Sequence, residues 1–270
     1  MLRTDLALEA HELLKKARKN EALPGIRTET KQRGDIRTTV VQVLDAEGER
    51  AMGKAVGTYV SMELPDRRGK VRTQAAAQLA DHLRRLLPED IRSGVLVAGL
   101  GNRAVTPDAL GSKTAEALLV TAHLTEQFPF FRPVSVLCPG VKGQTGMESL
   151  DVVRGVLDRV RPSCLIAVDA LAAADAARIG RTVQLSDAGI QPGSGVGNRR
   201  AGFSRGSLGL PVLALGVPTV TDLDERGSGR IVTTADVDAV VSDMASVLAS
   251  ALNRALQPGL PEAELEEFLM

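Results

Sequence analysis

The chain has 270 residues, 44% hydrophobic and 24% charged, close to an ordinary soluble protein and long enough for one large domain or a domain with an added subdomain. Lys plus Arg and Asp plus Glu number 33 each, a balance that argues against nucleic acid as the direct partner, because phosphate binding usually shows as a basic excess. Aromatic residues make up 2% and Trp is missing, so the core must be built from Leu, Val, Ile and Ala.

Acids and bases from Arg3 to Glu9 leave no apolar signal-peptide core. No apolar run reaches the roughly 18 residues of a membrane span, and a cytoplasmic protein is expected. Leu6, Leu13, Leu14 and Ala17 have helical spacing over Asp5 to Arg18, and Pro24-Gly25 ends that pattern. Thr38 to Leu44 is β-branched and runs into Glu47-Gly48, a turn signal; with the extended run Ala55 to Leu64 it predicts a β-hairpin element over 36–64. Val71, Ala75, Leu79, Leu83 and Leu86 share one face of a helix over 70–87.

From Gly94 short apolar strands alternate with helices. Strands are predicted at Val95–Ala98, Val134–Cys138, Leu165–Val168, Thr182–Leu185 and Val212–Leu215. Helices are predicted at Asp108–Gln127, Glu148–Val160, Ala170–Arg178 and Thr234–Leu256, with a polar loop at Asp222–Gly229. This pattern implies an α/β fold with a mainly parallel sheet covered on both faces. Its site should lie in the loops at the carboxyl ends of the strands. Cys138 and Cys164 lie in apolar runs without CxxC spacing, and buried reduced thiols are expected.

Four of those loop positions offer chemistry. Gly99, Gly101 and Ala104 loosely match a dinucleotide fingerprint, but the following strand ends Leu137-Cys138-Pro139 without the acid that a ribose requires. What remains is Asp108 at a helix start, where it is either a first-turn acid behind the cap Thr106-Pro107 or a cleft carboxylate. Pro139 to Gly146 holds Gly140, Gly143 and Gly146, whose backbone could approach a substrate carbonyl or form an ordinary tight turn. Asp169 follows a strand and either caps a helix or projects into the crevice. Ser186 to Arg200 is long and glycine-rich but lacks the Gly-Lys-Ser/Thr ending of a phosphate loop; its Arg199 and Arg200 either meet acidic groups or lie solvated. His11, His82 and His123 sit in helical patterns, so neither a serine triad nor a zinc site has an obvious base or ligand set. A Cys138–His123 pair is a weak alternative. Two carboxylates, one holding a proton while the other activates water, suit amide hydrolysis.

Several segments resemble the spore germination protease family, in order along nearly the whole chain. They are Arg3-Thr4-Asp5-Leu6-Ala7, Gly99-Leu100-Gly101-Asn102, Val105 to Gly111, Pro139-Gly140-Val141, Ala167 to Ala173, Ser186-Asp187 and Pro192 to Arg199. The resemblance implies a three-layer α/β/α fold similar to hydrogenase-maturation endopeptidases. It also implies an atypical aspartic endopeptidase with catalytic carboxylates at Asp108 and Asp169, needing no metal or cofactor. The matching loops place substrate-binding residues at Gly101, Asn102, Gly140, Gly143, Ser186, Asp187, Gly193, Gly195, Asn198 and Arg199. The substrates implied are small acid-soluble spore proteins in the forespore or spore core. The implied enzyme is a homotetrameric zymogen that cuts itself between Asp5 and Leu6, leaving residues 1–5 as a propeptide of a single peptidase domain over 1–270. The chain departs from the family pattern at Ala122, Ala174 and Gln191, where Arg, Arg and His are usual, and lacks a segment near Asp222–Gly229. Two alternatives remain: a metal-dependent peptidase of the hydrogenase-maturation type, and a non-catalytic spore-protein-binding relative.

Overall fold

The computed structural model describes residues 4–19, 23–197, 200–222, 230–261 and 264. The elements in order are α1 (Ala7–Ala17), β1 (Ile26–Arg33), β2 (Ile36–Val43), α2 (Ala46–Met52), β3 (Gly57–Glu63), α3 (Gly69–Leu86), β4 (Val95–Gly99) and α4 (Leu110–Glu116). There follow β5 (Val134–Leu137), α5 (Lys142–Thr145), α6 (Ser149–Val160), β6 (Cys164–Ala173), β7 (Thr182–Ser186), α7 (Arg205–Leu208), β8 (Val212–Asp222), β9 (Ile231–Val232) and α8 (Val237–Leu256). Among the described residues the strands form one sheet in the order β1-β2-β3-β7-β8-β6-β4-β5, with β9 against β8.

The central block β8-β6-β4-β5 is parallel. On the far side of β8, strands β7, β3, β2 and β1 extend the sheet as an antiparallel wing. Side chains alternate across the sheet with period two. Val95, Val97, Ile166 and Val168 pack with α3, α4 and α8 on one face. Leu96, Ala98, Leu165 and Ala167 pack toward α6 and Phe203 on the other. The helices α1 and α2 continue that second layer over the wing, where Ala7 and Met52 meet Val41, Val43 and Tyr59. The expected three-layer α/β/α arrangement around a mainly parallel central sheet is therefore observed.

Four local expectations change. The run Ala170 to Arg178 is not a helix: β6 continues through Ala173, and only Ala176–Arg178 forms a 3-10 turn. Ala-Leu-Ala-Ala favours helix locally, but pairing of Asp169 to Ala173 with β8 and burial of Leu171 and Ala173 override that preference. The helix expected over Asp108–Gln127 is a 3-10 turn at Thr106–Asp108 followed by α4, which stops at Glu116. There Asn253 of α8 donates to the Ala117 carbonyl and accepts from Leu119 N, so a neighbouring helix supplies the end cap. The turn expected at Glu47-Gly48 is the first turn of α2, capped by Asp45, while β2 and β3 pair antiparallel as expected. Cys138 is exposed rather than buried, because it lies beyond the end of the edge strand β5; Cys164 is buried, and burial pushes its thiol up to about 12. Of the expected loop Asp222–Gly229, only Asp222 lies within the described residues.

One packing detail positions the site. The end of β4 and the start of α4 touch backbone to backbone: a Cβ on Gly111 would lie 2.4 Å from both the Leu100 and Val168 carbonyl oxygens, and one on Gly99 would lie 2.4 Å from the Gly111 oxygen. Gly111→Ala should therefore destabilise the protein by about 1–3 kcal/mol through overpacking, although alanine is the better helix former. Urea unfolding checks the sign; a gain in stability would mean that the contact has slack.

Candidate active site

The parallel strands deliver their carboxyl ends to one crevice. Asp108 reaches it from the 3-10 turn after β4, which the Gly99–Gly111 contact seats against the sheet. Its Oδ2 accepts from Asn102 N at 2.6 Å, and Gly101, at φ +96°, lets the loop fold back onto it. Where β6 meets β8 the register slips between Leu171 and Ala172, leaving Thr219 as an extra residue on β8. Such a bulge re-aims a side chain, and the Thr219 hydroxyl donates to the Pro107 carbonyl at 2.7 Å, beside Asp108.

Asp169 lies within β6, one residue past its last partner on β4, and its alternation places it on the α6 face. It is 5% exposed. Burial, then the charge of Asp108, then that of Asp5, holds its carboxyl well above the ordinary carboxylate value. Asp108 is half-buried; burial raises its carboxyl too, opposed by the Asn102 N–H. Both line a cavity of about 400 Å³ that also touches Asp5, Lys142, Gly193 and Arg200. Lys142 and Arg200 flank Glu148, at 2.8 and 3.9 Å.

The N-terminal segment enters this crevice. Asp5 N donates to the Ala172 carbonyl at 2.9 Å, and its Oδ2 accepts from Ala172 N at 2.9 Å. Its Oδ1 accepts from the Ser194 hydroxyl at 2.5 Å. The Asp5 carbonyl accepts from Lys54 Nζ at 3.0 Å and Gln184 Nε2 at 3.1 Å. Leu6 is fully buried against Leu171 and Ala173.

The remaining expected residues divide. Gly101, Gly193 and Gly195 lie at the crevice, the last packed on Asp5. The Asn102 side chain accepts from Ala104 N and Gln144 Nε2, tying two loops together. Gly140 and Gly143 flank the crevice loop but do not line the cavity, and Gly143 is exposed. Ser186 and Asp187 are committed to the fold: the Ser186 hydroxyl accepts from Ala188 N and Asp187 Oδ1 from Thr58 N. Asn198 and Arg199 lie outside the described residues. None of the three histidines lines the cavity, and His123 sits in a turn rather than a helix. Sequence reasoning missed Ala172, Ser194, Gln184, Lys54 and Thr219. Ser194 was at least inside a loop already suspected of function; the others depend on strand register and a bulge, which leave no local signal.

The sequence model of the germination protease family matches residues 7–225. The chain belongs to the germination protease family. A germination protease of Caldanaerobacter subterraneus subsp. tengcongensis is 38% identical, over 99% of this chain and 98% of that protein. One of Clostridium tetani is 34% identical over 99% of both. One of Bacillus pumilus is 42% identical over 82% of this chain and 64% of that protein. The Caldanaerobacter alignment runs over 321 positions, more than the 270 residues present here, so that germination protease carries segments this chain lacks. Among solved structures, a NiFe hydrogenase maturation protease from Thermococcus kodakarensis superposes with a TM-score of 0.39 at 17% identity, over 63% of this chain and 98% of that one.

The buried carboxyl of Asp169 gives a pH signature. A carboxyl raised in the folded state costs stability as pH climbs from the unfolded value, about 3.9, through the folded one, because the unfolded chain releases its proton first. Asp169→Asn removes that cost. Its melting temperature should exceed that of the parent by a margin that grows from pH 4 to pH 8; a margin independent of pH would show that Asp169 is not raised.

Proposed function

We propose that this chain is an endopeptidase of small acid-soluble spore proteins in which Asp108 and Asp169 activate water between them. The observation that carries the reading is the shared cavity: two carboxyls in one crevice, both raised by burial, Asp169 well above the ordinary carboxylate value and Asp108 less so because the Asn102 N–H opposes the rise. Such unequal environments support separate acid and base roles. Asp108 accepts a proton from water as its oxygen attacks the peptide carbon; Asp169 delivers its proton to the leaving nitrogen as the C–N bond breaks. One water is consumed and one carboxyl and one amine are formed; the proton then returns from Asp108 to Asp169.

The chain is further read as a single peptidase domain over 1–270 made as a zymogen, with residues 1–5 as propeptide and self-cleavage between Asp5 and Leu6. The fit of Asp5 beside Asp169, with Lys54 and Gln184 polarising its carbonyl, supports that reading. Residues 1–3 lie outside the described residues. Assembly as a homotetramer in the spore core belongs to the same reading. No helix among the described residues is long and apolar enough to cross a membrane. Among them, no group of three His, Cys, Asp or Glu side chains is arranged to hold a metal.

Incubation of the purified protein with a small acid-soluble spore protein, read by mass spectrometry, tests the reaction. A cut after an acidic residue is expected, with Asp108→Asn and Asp169→Asn each slower by roughly 10²–10⁴. Cleavage that survives both substitutions would exclude the carboxylate mechanism. Intact substrate under all conditions would favour the binding relative. For the zymogen, intact mass should show a mature N-terminus at Leu6 that Asp169→Asn fails to produce; a terminus elsewhere refutes that site.

A further inference from the structure

Asp5 is more than a plug in a crevice. Its carboxylate is read at both oxygens: Oδ2 by the Ala172 N–H at 2.9 Å and Oδ1 by the Ser194 hydroxyl at 2.5 Å. The wall behind it is the Gly195 backbone, where a Cβ would lie 2.4 Å from Asp5 Oδ2 and 2.7 Å from the Ala172 Cβ. The Ala172 N–H is open to the crevice because β4 pairs with β6 only as far as Val168, leaving that edge of β6 free for the N-terminal segment. Ser194 and Gly195 form the tight turn Ser194–Val196 between two left-handed glycines. Two donors converging on one carboxylate, with the Gly195 backbone closing one side, make a built slot rather than a surface encounter.

The next residue has its own place. The Leu6 side chain is fully buried against Leu171 and Ala173, with Ile190 packed alongside. Acid slot and apolar slot thus lie on consecutive residues, on either side of the Asp5–Leu6 bond. Charge-assisted hydrogen bonds to a carboxylate are stronger than neutral ones, and an amide in the same place would present an N–H to a donor.

We propose that the Ala172–Ser194–Gly195 slot is the acid-recognition subsite of the enzyme, occupied by Asp5 in the full chain and by the acidic residue before the scissile bond of a substrate peptide once residues 1–5 depart. This rests on the endopeptidase reading above and deepens it by naming what selects the bond. Ser194 is a specificity residue, not a catalytic one: it touches the side chain next to the cut bond.

The test uses the full chain, allowed to process itself, and octapeptides copied from Leu2–Glu9 with Asp, or Asn, at the position of Asp5. The parent should cut the Asp peptide in preference to the Asn peptide. In Ser194→Ala the ratio of kcat/KM for Asp over Asn should fall by roughly tenfold or more, the loss of one charge-assisted hydrogen bond. In Gly195→Ala, whose added Cβ enters the slot, the ratio should fall likewise. An unchanged ratio in both variants, or an equal loss on both peptides, overturns the slot while leaving the endopeptidase standing. If neither parent nor variants cut any peptide and the chain keeps its own N-terminus, the endopeptidase reading falls and takes the slot with it.

Discussion

The backbone contact between Gly99 and Gly111 is the constraint on which the site depends. Most strand-to-helix turns keep the helix a side chain's width from the strand ends. Here the missing Cβ atoms let α4 sit directly on the carbonyls of Leu100 and Val168, and the turn before α4 is drawn down with it. Asp108 is carried to the depth at which Asp169 emerges from β6. The bulge at Thr219 then secures the Pro107 carbonyl from the β8 side. Asp108, on the turn after β4, and Asp169, on β6, share one cavity through the glycine contact and the bulge, with no side-chain contact between the two acids.

That meeting is electrostatically unfavourable, and the fold tolerates it by dividing the burden unequally. Asp169 is the more enclosed, and its burial is the first cause of its raised carboxyl, ahead of the neighbouring charges. Asp108 keeps a backbone donor that steadies its anion. A third carboxylate, Asp5, enters the same space carrying its own two donors, Ala172 N and the Ser194 hydroxyl. A buried charge costs several kcal/mol unless it is paired or neutralised. Burial raises Asp169 and Asp108, while Asp5 is met by two hydrogen-bond donors. The crevice therefore gathers three acids in unequal surroundings.

The legibility of this arrangement in the sequence follows the range of the forces involved. The parallel strands β4, β6 and β8 were visible because each is a continuous apolar run buried on both faces, and α3 and α6 because their apolar residues fall at helical spacing. The edge strand β1, Ile-Arg-Thr-Glu-Thr-Lys-Gln-Arg, was not assigned: it is mostly exposed, and polar, charged residues guard an unpaired edge. Ala170 to Ala173 misled because alanine and leucine favour helix, whereas long-range pairing with β8 decides. The candidate aspartates were found through their place at strand ends and through family resemblance, not through any local motif that separates a cap from a cleft carboxylate. Ser194 and Ala172 acquire their roles only when strand register and the N-terminal segment converge, so no spacing could reveal them.

The N-terminal segment is attached in two separable ways, and this bears on how a cleft occupied in the full chain can be opened without unfolding it. Residues 4 and 5 are held by hydrogen bonds to Ala172, Ser194, Lys54 and Gln184. From Leu6 onward the hold is different in kind. Leu6 is buried in its own cluster, Ala7 N donates to Gln184 Oε1, and the buried Glu9 carboxylate accepts from Ala174 N and Asp175 N. Arg178 pairs with both Glu9 and Glu12. Each of these survives a cut after Asp5. Under the proposed cut, the hydrogen bonds that fill the crevice would leave with residues 4 and 5, whereas the interactions that dock α1 on the sheet would stay in place. Buried apolar area and a satisfied buried carboxylate anchor the helix, while the two residues ahead of it rely on hydrogen bonds that water can replace at small net cost. A chain divided at that point would keep its second layer intact and expose the carboxyl ends of its parallel strands, so the proposed processing would change access to the aspartates without requiring any rearrangement of the sheet that positions them.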